Sequence, residues 1–178
     1  MMCSCFSRPA TIVFLLAIAT LPTHPAMAEP RGLVIGIDKY KSVGELDGAV
    51  NDARDIADAL RTVGVKDLTV LFDEQVTRKA VLDGWDGMMK RTRPGDTLFF
   101  TYAGHGGEEP ELVKGSEETG KDQVLLFPLF DPRTENNAER LIDNEIALML
   151  KPLPRQGVTM MMDACHSGTM PAGSIPGT

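Results

Sequence analysis

Asp96-Thr97-Leu98-Phe99-Phe100-Thr101-Tyr102-Ala103-Gly104-His105-Gly106 is an apolar run that breaks into a glycine-flanked histidine. Asp96 to Ala103 is short and rich in aromatic and β-branched residues, which predicts a buried strand. A second such run, Val158 to Met162, leads into Asp163-Ala164-Cys165-His166-Ser167-Gly168. Ligands of open α/β sheets bind beyond the carboxyl ends of the strands. If the two strands are neighbours, His105 and Cys165 face each other across one cleft. That pairing reads as a Cys-His hydrolase.

The flanking sequence supplies the rest of the sheet. Arg31 to Ile37 is a β-branched run bounded by Asp38 and predicts a first strand. Leu46, Ala49, Val50, Ala53, Ile56, Ala57, Leu60 and Val63 recur at helical spacing until Gly64 ends the pattern. Asp67 to Phe72 is a second strand. Val81, Leu82, Trp85, Met88 and Met89 form the apolar stripe of a helix that stops before Arg93-Pro94-Gly95. Gly106 to Gly120, rich in Glu, Gly and Pro, reads as a loop. Gln123 to Phe127 reads as a hairpin arm, and Asn144 to Leu150 as a helix stopped by Pro152. Strands alternating with helices predict an α/β fold, a mainly parallel sheet with helices on both faces.

Residues 1–28 read as a signal peptide. Arg8 gives a basic start, Ala10 to Leu21 an apolar run, and Ala26-Met27-Ala28 a small-x-small cleavage site. The run is about half the ~20 residues of a spanning helix, so no membrane anchor is expected. The expected product is an exported chain, periplasmic or secreted, beginning near Glu29. Residues 29–178 then make one domain of about 150 residues, long enough for a real core. The whole chain carries a formal charge of -7, and losing Arg8 makes the remainder more acidic. An acidic domain without a basic stripe is a poor nucleic-acid partner.

Of the three cysteines, Cys3 and Cys5 lie in the leader, so Cys165 has no disulfide partner in the mature chain. Its thiol is either used or an inert passenger. His166, adjacent to Cys165, points to the opposite face if the strand continues and reads as packing. A zinc site from Cys165, His166, His105 and Asp163 lacks the paired spacing of a zinc ligand set. Asp163, two residues before Cys165, shares its face.

Four segments in order, Arg31-Gly-Leu-Val-Ile-Gly-Ile-Asp38, Leu46-Asp-Gly-Ala-Val-Asn-Asp52, Tyr102-Ala-Gly-His-Gly106 and Asp163-Ala-Cys-His-Ser-Gly168, resemble the caspase-like cysteine peptidase clan. Within it the chain is most similar to metacaspases and their bacterial metacaspase-like (orthocaspase) relatives. His166 stands where the caspase signature has Arg, Gln or Gly. The resemblance implies a cysteine endopeptidase with Cys165 as nucleophile and His105 as general base and acid. Backbone N–H groups of Gly106 and Cys165 would hold the oxyanion. It assigns Asp52 and Asp163 to the pocket for the residue at the cleaved bond, so protein or peptide substrates would carry Arg or Lys there. Ala49 and Ala103 replace a cysteine and a serine common in the family. Asp143-Asn144-Glu145 resembles part of the family's acidic calcium site; calcium is possible, but no cofactor or metal is assigned.

Thirteen residues follow Cys165, whereas family members continue with a second portion. The chain therefore reads as a large-subunit-like portion, incomplete at its C-terminus. Its last strand would be an apolar edge open to a completing chain or to self-association. Lys114 and Lys121 in the acidic loop are the expected sites of self-cleavage. The alternative function is a catalytically silent caspase-like module for binding or regulation.

Overall fold

The computed structural model describes residues 28–134, 138–153 and 157–164. Four parallel strands form the central sheet: β1 (Pro30–Gly36), β2 (Asp67–Phe72), β3 (Thr97–Ala103) and β7 (Gly157–Asp163), in the order β2-β1-β3-β7. The two strands that lead into His105 and into Cys165 are neighbours: β3 pairs with β7 from Thr97↔Gly157 to Ala103↔Asp163.

Alternation along the strands sorts side chains onto two faces. Leu33, Ile35, Leu98, Phe100 and Tyr102 face the larger core with Val81, Trp85 and Met88 of α2 (Arg78–Arg91) and Ile146 of α3 (Asp143–Leu150). Val34 faces the other way, against Ala53, Ala57 and Leu60 of α1 (Ala49–Thr62), with Phe99 packed on that cluster. Helices thus cover both faces, as expected. Fully burying one such aliphatic side chain contributes about 1.5–3 kcal/mol.

Gly36 fixes where α1 starts. A Cβ there would lie 2.6 Å from the Ala53 Cβ and 2.9 Å from the Ala49 carbonyl oxygen. The missing side chain lets the first turn of α1 rest on the carboxyl end of β1.

The segment read as a loop is only partly one. Gly106–Pro110 is a strand, β4, paired antiparallel with β5 (Lys121–Leu126), which pairs in turn with β6 (Arg140–Ile142). The hairpin arm expected at Gln123 to Phe127 is β5. Side chains fasten this second sheet: Lys121 to Glu108 at 2.7 Å and Arg140 to Glu109 at 2.7 Å. Gly-Gly-Glu-Glu-Pro has no apolar alternation, so pairing with β5 supplies what its composition does not. Among the described residues no helix is long and apolar enough to cross a membrane.

Candidate active site

His105 follows β3 at the carboxyl end of the sheet and is held at its backbone and its ring. Its N–H donates to the Tyr40 hydroxyl at 2.8 Å. Its carbonyl accepts from the Leu126 N–H at 2.9 Å and from the Tyr102 hydroxyl at 2.8 Å. The imidazole packs on the Tyr40 ring, centroids 4.7 Å apart, and Nε2 lies 2.7 Å from the Gly44 carbonyl oxygen. A carbonyl only accepts, so in the neutral ring Nε2 carries the proton and Nδ1 is left unprotonated.

Gly104 makes this arrangement possible. A Cβ there would stand 2.6 Å from the Tyr40 hydroxyl and 2.8 Å from that of Tyr102. Any side chain would push apart the two phenols that hold the histidine. Burial raises the Tyr40 hydroxyl despite its hydrogen bonds, and raises that of Tyr102 well above the ordinary tyrosine value. Both stay protonated in the neutral range.

Residues 37–48, which carry Tyr40 and Gly44, are anchored by two carboxylates. Asp73 Oδ1 accepts from the N–H groups of Asp38 (2.9 Å) and Lys39 (3.0 Å). Asp73 has φ 45°, a left-handed conformation that Asp tolerates better than most residues. Asp38 closes the segment with its carbonyl on the Leu46 N–H at 2.8 Å and Oδ1 on the Gly48 N–H at 3.2 Å. Tyr40, Gly44, Asp73 and Tyr102 escaped the reading of the sequence. A lone aromatic in a polar segment hints at Tyr40, but a backbone carbonyl such as that of Gly44 has no signature.

Gly106 begins β4 rather than a loop. His105 O accepts from Leu126 N and Gly106 is opposite Leu125. Hydrogen-bonded positions alternate in an antiparallel pair, so the Gly106 N–H is directed away from β5. It can therefore serve as a donor beside His105.

The partners named in the sequence fall as follows. Cys165 and His166 lie outside the described residues, which end at Ala164, one position before the thiol. Asp163 ends β7 opposite Ala103, and its carbonyl accepts from the Gly104 N–H at 3.1 Å. Met160, Met162 and Ala164 pack on the larger core, so alternation puts Asp163 on the α1 face. Asp52 is exposed in the first turn of α1, on that same face, where the helix dipole also favours an acid. Among the described residues neither carboxylate has a hydrogen-bonding or ionic partner.

The acidic site differs from its expected composition. Glu117, Asp122 and Asp143 each offer an oxygen within 4.8 Å of the others. The Asn144 amide donates to Asp122 at 3.2 Å. Glu145 turns away to pair with Arg78, because α3 directs it toward the start of α2. The Glu117 carboxyl is raised by desolvation and by the charges of Asp143 and Asp122. A set of oxygen donors with unneutralised negative charge suits a hard divalent cation.

Comparison with known proteins shows the family and the fold of the chain. Residues 30–172 match the family model described as "Metacaspase, peptidase C14 domain". Metacaspase-1 of Mycosarcoma maydis is 35% identical over 149 residues, covering 78% of this chain and 36% of the relative. Metacaspase-1A of Aspergillus niger is 33% identical over 150 residues, with 78% and 36% covered. The chain spans about a third of the length of these relatives. The crystal structure of protein GSU0716 from Geobacter sulfurreducens superposes with a TM-score of 0.64 at 28% identity. That match covers 79% of this chain and 52% of the other.

Proposed function

The chain belongs to the metacaspase family, peptidase C14, and from that premise we propose that it is the catalytic portion of a cysteine endopeptidase that cuts after Arg or Lys. The observation that carries the reading is His105. It sits beyond β3, beside the strand that leads into Asp163-Ala164-Cys165, with Nε2 bound by Gly44 and Nδ1 left as a base.

In the proposed reaction Nδ1 takes the Cys165 thiol proton, and the thiolate attacks the scissile carbonyl carbon. The Gly44 carbonyl steadies the imidazolium through Nε2–H. The Gly106 and Cys165 N–H groups receive the oxyanion; losing one such donor typically costs about 3 kcal/mol of transition-state stabilisation. Nδ1–H then protonates the leaving amine as the C–N bond breaks, leaving a thioester on Cys165. Water, giving its proton to Nδ1, attacks the thioester; the C–S bond breaks, and the acid product and free thiol result.

Asp52 and Asp163, both on the α1 face, would meet the basic side chain of the substrate. If calcium is required, Glu117, Asp122 and Asp143 would hold it, with Asn144 at their edge. A bound cation would supply positive charge that orders the acidic segment around β5. Among the described residues β7 is an edge of the central sheet; with half-buried Met160 and Met162, it would take a completing strand from further chain or a second copy. We also propose export, with the mature chain beginning at Glu29.

Hydrolysis of fluorogenic peptides ending in Arg, Lys or Asp by the parent and by Cys165→Ala tests the assignment. Cleavage of the first two, absent in the variant, supports it. Full activity in Cys165→Ala sinks the peptidase reading. No hydrolysis of any peptide, with and without calcium, favours a silent binding module.

A further inference from the structure

At the pole opposite His105, the Glu29 backbone nitrogen donates to Asp96 Oδ1 at 2.8 Å. Asp96, at the entry to β3, is 2% exposed. Its other oxygen accepts from the Arg93 N–H at 2.8 Å and faces Arg31 Nε at 3.4 Å. Arg31 on β1 is itself buried; it also bonds Asp67 of β2 and, at 2.7 Å, the Glu29 carboxylate. Arg91, in the last turn of α2, closes on both Asp67 oxygens at 2.8 Å. Burial alone would raise the Asp96 carboxyl, but the Glu29 and Arg93 N–H groups and Arg31 outweigh it. Three carboxylates here (Glu29, Asp67, Asp96) face two guanidinium groups (Arg31, Arg91), which leaves one negative charge in excess.

The residue that touches Asp96 is also the one that follows Ala26-Met27-Ala28. We propose that hydrolysis of the Ala28–Glu29 bond creates an α-ammonium on Glu29 that pairs with the buried Asp96 carboxylate, completing the charge balance of this pole only after the leader is removed. Water adds across the amide: Ala28 leaves as a carboxylate, and the Glu29 nitrogen gains its protons. A neutral N–H donor thereby becomes a charged one at a desolvated carboxylate, where such hydrogen bonds are roughly twice as strong. The leader-bearing chain is thus held short of its final stability, which suits a precursor that must cross a membrane unfolded. The inference rests on the export reading given above.

Three proteins test it: Met1–Thr178, Glu29–Thr178 with a free amine, and Glu29–Thr178 with that amine acetylated. The expected Tm of the free-amine chain exceeds that of the acetylated chain by roughly 3–6 °C, and the gap closes as alkali deprotonates the amine. The full chain should behave like the acetylated one. The gap should vanish in Asp96→Asn. If that variant does not fold, a chain that retains Ala28 at its start provides the same control, because its ammonium lies one residue away. Equal Tm values for the free and acetylated chains, or a gap that survives in either control, overturn the proposal. Expression in an exporting bacterial host, read by intact mass, tests the export reading separately. A mass beginning at Glu29 supports both. A different start overturns the junction, and with it the proposal, even where the acetylation contrast holds.

Discussion

The Nε2 atom of His105 lies 2.7 Å from the carbonyl oxygen of Gly44, so a backbone group far away in sequence sets the tautomer of the residue assigned as base. In the proposed Cys-His constellation, the third member, the group that orients the base, would be this carbonyl. It depends on the loop that Asp38 and Asp73 hold, and on Tyr40 within it.

Tyr40→Phe keeps the ring against the imidazole but removes the acceptor of the His105 N–H. An orphaned buried donor costs about 1–3 kcal/mol, measurable by urea unfolding. If Tyr40 positions the base, kcat against an Arg reporter falls roughly tenfold or more with little change in KM. A loss of stability with kcat unchanged would reduce Tyr40 to a structural brace.

Asp163→Asn keeps shape and removes charge. KM for Arg substrates should rise several-fold, with unfolding little affected because the carboxylate is exposed and unpartnered among the described residues. Asp52→Asn should act in the same direction, with a small stability loss of about 0.3–1 kcal/mol from the helix start. Neither variant should gain cleavage after Asp. Parent-like KM in both would show that these carboxylates do not read the substrate's charge.

Self-cleavage should fall after Lys114. Lys121, the other basic residue of the acidic segment, opens β5 and is bonded to Glu108, whereas Lys114 lies exposed in a turn. Intact mass after incubation should show a Cys165-dependent cut there, absent in Lys114→Ala. A Cys165-dependent cut after Ser167 or Met170 would overturn basic-residue specificity.

The amino pole contributes to the acid limb of stability. Asp67 is held low by Arg91, against partial burial, and then by Arg31; Asp96 is also held low. A carboxyl depressed in the folded state contributes stability above its unfolded value of about 3.9, lost as pH falls through the folded value. Urea melts from pH 6 to pH 2 should therefore show stability falling below about pH 4, and less steeply in Asp67→Asn. Identical slopes would remove Asp67 from the account.

The central sheet was legible because its strands are apolar runs bounded by Asp, Gly and Pro. Asp67 to Phe72 agrees at both ends, and β1 and β3 within one residue. The second sheet was mostly not. Gly106-Gly-Glu-Glu-Pro110 and Arg140-Leu-Ile142 owe their strand geometry to β5, a long-range partner that local pattern does not encode. His105 and the carboxylates could be named from residue type and motif alone. What aims His105 could not, since Gly44 acts through its backbone and Tyr40 through a fold-dependent approach. Glu117 and Asp122 were hidden in a segment whose acidity reads as solvation.

The most direct test of the central claim is the rate at which iodoacetamide alkylates Cys165, followed on its own peptide by mass spectrometry, against pH in the parent and in His105→Gln. If His105 Nδ1 is the base for the thiol, the parent profile has its midpoint below the free-thiol value of about 8.5. His105→Gln then slows the reaction at pH 7 several-fold and returns the midpoint to that value. Superimposable profiles in the two proteins would contradict the dyad.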